Sequence, residues 1–136
     1  MLHASTVAID GQAVLITGVS GSGKSDLALR LIDRGARLVS DDYTLVTRVG
    51  TTLQVSAPTN IKGKMEVRGV GIVDFDPVEA GIAALIIRLD AAPERLPDFG
   101  DTQTIVGITL PTLALAPFEV SAPIKVELAL KKLSVR

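Results

Sequence analysis

The chain has 136 residues and a mass of 14.2 kDa, which is one domain's worth of protein. With 47% hydrophobic and 21% charged residues it has the balance of a folded globular unit, and a net charge of −1 excludes the basic footprint of a nucleic-acid binder. The absence of Cys and the single His exclude a disulfide framework, a thiolate nucleophile and a multi-His metal centre.

The start, MLHASTVAID, has neither a basic n-region nor an apolar h-region. No apolar run approaches the roughly 18 residues of a membrane span, and Arg88 cuts the run over 82–87. The expectation is a soluble, cytoplasmic protein with no membrane or nucleic-acid partner. Residues 5–9 alternate and predict a strand, and Asp10-Gly11 is a hairpin turn signal. Residues 13–17 (AVLIT) predict a second, buried strand. After the glycine-rich stretch 18–23, the spacing of Leu27, Ala28, Leu31 and Ile32 predicts a helix over 25–34, stopped by Gly35. A third strand is expected over 37–40, then a hairpin of 44–49 and 52–55 about Gly50. Residues 57–64 read as a loop. Residues 67–75, with Gly69 and Gly71, fit either a strand or a bent loop. Strands are expected at 83–89 and 102–110, with a loop over 91–101 between them, and an amphipathic helix over 124–133. Many short strands with few helices predict a single α/β domain spanning 1–136, built on a mixed rather than a purely parallel sheet.

The strongest chemical signal is GVSGSGKS over Gly18, Val19, Ser20, Gly21, Ser22, Gly23, Lys24 and Ser25, a complete G-x-x-x-x-G-K-[ST] motif. Glycines let backbone N–H groups converge on phosphate oxygens without an intervening Cβ. The helix that follows points its positive end at the anion. Lys24 is placed to reach β- and γ-phosphates, and Ser25 to offer a hydroxyl to Mg²⁺. The apolar strand before the loop and the helix pattern after it supply the context this motif requires.

A phosphate-loop enzyme needs a carboxylate near the metal. Asp41 and Asp42 follow the strand at 37–40, and Asp90 follows the strand at 83–89. One of the adjacent pair can orient magnesium while the other takes a proton from an attacking hydroxyl. The alternative is that the pair merely opens a turn before Tyr43. From residue type alone His3 reads as an incidental residue near a frayed terminus. Glu66 and Arg68 share one face of an extended segment, suited either to metal and phosphate or to an ordinary exposed pair.

Three features together resemble the bacterial HPr kinase/phosphorylase family. The first is ITGVSGSGKSDLALRLIDRGARLVSDD over 16–42, in which a P-loop strand and helix lead into an "RGxxLVxDD" segment. The second is MEVRGVGIVD over 65–74, similar to the family's E-x-R-G-x-G-I-[IV] signature. The third is His3, which stands 21 positions before Lys24, where the family has a catalytic His. The resemblance covers residues 3–90 well. It implies a P-loop kinase fold of the PEP-carboxykinase-like type and an Mg-ATP-dependent protein-serine kinase acting on HPr, the phosphocarrier of the bacterial sugar phosphotransferase system. That places it in a phosphorelay that regulates carbon metabolism. It also implies phosphorolysis, in which inorganic phosphate removes the phosphoryl group as pyrophosphate. Residues 18–25, Asp41 and Arg68 would bind nucleotide, and Ser25 and Glu66 would hold magnesium. Lys24 would be the charge clamp, Asp42 the proton acceptor and donor, and His3 its assistant. Arg95 in PERLPDFG would match a family Arg. A homo-oligomer, a hexamer, is the family's assembly.

The chain departs from the family pattern at two places. The family's N-terminal regulatory domain has no counterpart before Gly18, which resembles either the short alphaproteobacterial form or the isolated catalytic domain. The basic RPGRN-like segment, which serves dephosphorylation, is replaced by SAPIKV over 121–126, with Lys125 its one charge. The competing readings are a small-molecule P-loop kinase and a nucleotide-binding regulatory module. The first lacks an arginine-rich lid here, and the second would need no base at Asp42.

Overall fold

The computed structural model describes residues 1–89 and 100–134. β1 (Ala4–Ile9) and β2 (Gln12–Thr17) form an antiparallel hairpin with Ala4 opposite Thr17 and Ile9 opposite Gln12. Both turn residues, Asp10 (φ 50) and Gly11 (φ 79), are left-handed, which is the turn class whose twist matches the flanking strands. α1 (Lys24–Asp33) follows the phosphate-loop sequence and buries Leu27, Ala28 and Leu31. It ends as the sequence predicts. The Gly35 N–H donates to Ile32 O and the Ala36 N–H to Leu31 O, a Schellman closure on a glycine at φ 111. β3 (Arg37–Ser40) then runs antiparallel to β1, and so parallel to β2.

β4 (Leu45–Val49) and β5 (Thr52–Ser56) form the expected hairpin about Gly50. Residues 57–63 contain a short 3-10 turn, Thr59–Ile61. Residues 67–75, which fit either a strand or a bent loop by sequence, hold the turn and second strand of a hairpin of β6 (Lys64–Val67) and β7 (Gly71–Asp74), which forms its own two-stranded sheet. β8 (Gly81–Leu89) lies parallel to β2.

The single strand expected over 102–110 is two strands. β9 (Thr102–Ile105) and β10 (Ile108–Leu115) turn about Val106 (φ 50) and Gly107 (φ 82). Val106 reads as a strand residue, so the turn is hidden in the sequence. Pro111, which reads as a breaker, sits where β10 leaves its ladder with β9 and begins its parallel ladder with β8 at Thr112. α2 (Ala122–Ser134) closes the described chain. The main sheet has the order β3-β1-β2-β8-β10-β9, with β5 on the start of β8 and β4 beyond it. It is the mixed sheet with few helices that the sequence predicts.

Alternation along β2 splits the core into two layers. Val14 and Ile16 face α1 and α2, joining Leu27, Leu31, Val126 and Leu130. Ala13 and Leu15 face the opposite layer with Leu53, Val55, Ile86 and Ile108. Ala84 is an extra residue in β8, since Ala13 pairs with Ala83 and Val14 with Leu85. This bulge lets Ala83 and Ile86 share one face although they stand three positions apart, where strict alternation would put them on opposite faces. Among the described residues no helix is long and apolar enough to cross a membrane.

Candidate active site

β2, β8, β10 and β3 all run the same way, so the segments that follow β2, β3 and β10 leave the sheet at one rim. In α/β sheets this rim is where ligands bind. A cavity of about 510 Å³ opens there, lined by Ser20, Gly21, Gly23, Lys24, Ser25, Asp41, Asp42, Glu66, Arg68 and Phe118, with other residues of α1 and β6.

Residues 18–23 form the bend from β2 into α1. A Cβ on Gly18 would stand 2.5 Å from Ser22 Oγ, so any other residue here would push Ser22 aside. Lys24 is 5% exposed. Its Nζ donates to the carbonyls of Gly18 (3.0 Å) and Val19 (3.1 Å), holding the ammonium over the loop.

The two aspartates have different surroundings. Asp41 is buried, and its Oδ1 accepts from Ser25 Oγ (2.6 Å) and from Ser5 Oγ (2.9 Å). Asp42 is half exposed, and its Oδ1 lies 2.8 Å from His3 Nε2. Its backbone is left-handed at φ 68, and the Tyr43 N–H closes back on Asp41 O at 2.7 Å. This is a γ-turn with Asp42 at its apex, a strained conformation of the kind found at functional sites. Ser5 links the pair. Its hydroxyl donates to the Asp41 carboxylate and accepts from the Asp42 N–H at 3.1 Å.

Residue type alone makes His3 a frayed residue, but here it is pinned. Leu2 and Thr44 exchange both backbone hydrogen bonds at 2.8 Å. The imidazole stacks on Tyr43, with ring centroids 5.1 Å apart. Glu66 and Arg68 stand on β6 and at the tip of its hairpin, and both line the cavity. Arg95 and Asp90 lie outside the described residues. The segment 121–126 opens α2, and Lys125 pairs with Glu119 at 3.0 Å.

Sequence reading did not single out Ser5, Tyr43 or Phe118. Ser5 stands in β1 two positions after His3, a spacing that puts both on one side of an extended chain. Phe118 is an aromatic in a short loop after a strand. Both are readable only as faint signals.

No cluster of three or more His, Asp or Glu side chains able to cage a metal occurs among the described residues. Among the described residues lining the cavity, those that could ligate a metal offer oxygen, including the Ser25 hydroxyl and the carboxylates of Asp41, Asp42 and Glu66. That sparse, hard donor set fits Mg²⁺, which keeps waters and takes further ligands from substrate phosphates.

Residues 1–121 match the family described as HPr Serine kinase C-terminal domain. The HPr kinase/phosphorylase of Limosilactobacillus reuteri (strain DSM 20016) is 42% identical over 137 aligned positions, covering 91% of this chain and 41% of that protein. The HPr kinase/phosphorylase of Chlorobium luteolum is 50% identical over 88 positions, covering 63% of this chain and 26% of that protein. The solved Hpr(Ser) kinase/phosphatase from Coxiella burnetii superposes with a TM-score of 0.84 at 31% identity, covering 98% of this chain and 95% of that one. The chain thus spans at most about two fifths of the length of these two curated relatives.

Proposed function

The chain belongs to the HPr serine kinase C-terminal domain family, and from that premise we propose that it transfers the γ-phosphoryl group of ATP to a serine hydroxyl of HPr. The observation that carries this reading is the His3–Asp42 pair at 2.8 Å, with Asp42 lining the cavity that Lys24 also lines. A phosphate clamp and a proton acceptor then face one substrate.

The residues divide the work. Backbone N–H groups of 18–23 and the start of α1 hold the phosphate chain, and Lys24 neutralises charge on its β- and γ-oxygens. Ser25 and Glu66 would hold Mg²⁺, with Asp41 orienting Ser25, and the ion would spread the charge that builds on the transferred phosphoryl group. The serine Oγ attacks in line. The new O–P bond forms as the bond from the γ-phosphorus to ADP breaks, and the serine proton passes to the Asp42 carboxylate. His3 holds that carboxylate toward the incoming hydroxyl. Positioning and electrostatics supply most of the acceleration.

In the reverse direction phosphate would take the phosphoryl group from seryl-phosphorylated HPr, leaving pyrophosphate, while Asp42 returns its proton to the serine. The reading is tested by pairing Asp42→Asn with nucleotide-binding measurements. The expected result is that MgATP still binds while transfer in both directions stops. Transfer at the unsubstituted rate by Asp42→Asn would remove the assigned base. Pyrophosphate release from seryl-phosphorylated HPr and inorganic phosphate tests the reverse reaction.

A further inference from the structure

Phe118 has no part in the transfer chemistry above, and its setting is not that of a core residue. It lies between β10 and α2, is 70% exposed, and is the one aromatic among the described residues lining the cavity. Its position is built. Arg30 of α1 donates to Pro117 O and, at 3.0 Å, to Glu119 O, the carbonyls on either side of Phe118. A Cβ on Gly23 would stand 3.0 Å from both Cε1 and Cζ of the ring. The phenyl edge therefore rests on the phosphate-loop backbone where α1 begins.

The sheet order gives the cavity a direction. Asp41 and Asp42 follow β3, two strands from β2 on one side, and Phe118 follows β10, two strands from β2 on the other. Each offset is about 10 Å. A nucleotide held by the loop with its transferred end toward Asp42 has its nucleoside end running toward Phe118. We propose that the Phe118 ring is the platform on which the base of the nucleotide donor stacks. This rests on the nucleotide-donor reading above and adds the base subsite to it. An exposed phenyl face and a base face both shed poorly hydrated surface on stacking.

The test compares MgATP with magnesium tripolyphosphate, which carries the phosphates and no base, by titration calorimetry on the whole chain. Phe118→Ala is expected to weaken MgATP about tenfold and to change tripolyphosphate by less than about twofold. Phe118→Trp is expected to keep MgATP affinity. Because the chain has no other Trp, its fluorescence should be quenched by MgATP and not by tripolyphosphate. Equal losses for both ligands in Phe118→Ala would make the ring a prop for the loop and overturn the proposal. So would no loss for either. Tripolyphosphate binding as tight as MgATP in the unsubstituted protein would remove the base contact while leaving the phosphate site standing. Failure of both ligands to bind would sink the nucleotide reading and the base subsite with it.

Discussion

Replacing Ser5 with Ala should uncouple the two aspartates. Ser5 is fully buried, and its hydroxyl makes two hydrogen bonds, one to the Asp41 carboxylate at 2.9 Å and one from the Asp42 N–H at 3.1 Å. A hydrogen bond to a charged group contributes about 1.5–3 kcal/mol, and the Asp42 N–H, which is part-buried, loses less on becoming unpaired than the about 1–3 kcal/mol of a fully buried one. The two effects share one hydroxyl and do not add fully, so a loss of about 3 kcal/mol is expected. For a domain of this size that lowers Tm by about 10 °C. Asp41 keeps its bond from Ser25, so the phosphate loop should hold and MgATP affinity should change by less than about threefold. The γ-turn at Asp42 loses the contact that fixes its amide, so kcat should fall about 10- to 100-fold. The assay is transfer to HPr at a temperature where calorimetry shows Ser5→Ala fully folded, alongside MgATP titration. A lowered Tm with kcat unchanged would make Ser5 a structural residue only and refute the coupling.

Other substitutions follow from the same geometry. Asp42→Gly should abolish transfer yet leave stability within about 1 kcal/mol by denaturant unfolding. Relief of the left-handed φ of 68 offsets the added chain entropy and the loss of the half-exposed His3 contact. Gly23→Ala should weaken MgATP at least tenfold by calorimetry. Its Cβ would demand a left-handed φ of 100 and press on the Phe118 ring at 3.0 Å. Leu31→Ala should cost about 2–5 kcal/mol in unfolding free energy, because Leu31 is fully buried in the layer joining α1 to the sheet.

The parts of the molecule that local chemistry specifies were legible in the sequence. The β1–β2 hairpin, the glycine loop, α1 and its glycine stop each rest on residues within a few positions of one another. β9 and β10 were not separable, because Val106 has strand propensity while its conformation here is a turn, and because Pro111 sits harmlessly at a change of strand partner. The aspartate pair was visible, but its division of labour was not. That division depends on Ser25, Ser5 and His3, which reach the pair from 16, 36 and 39 positions away in sequence. His3 itself looked frayed because nothing local shows the bridge between Leu2 and Thr44. Phe118 was hidden for the same reason: its contact with Gly23 and its anchoring by Arg30 are tertiary.

The most direct test of the proposed activity is the intact mass of HPr after incubation with the protein and Mg-ATP, with Lys24→Ala as the parallel reaction. The account predicts a gain of one phosphoryl group, localised to a serine, with the unsubstituted chain and none with Lys24→Ala. HPr that stays unmodified although MgATP binds, or that is modified equally by Lys24→Ala, would contradict it.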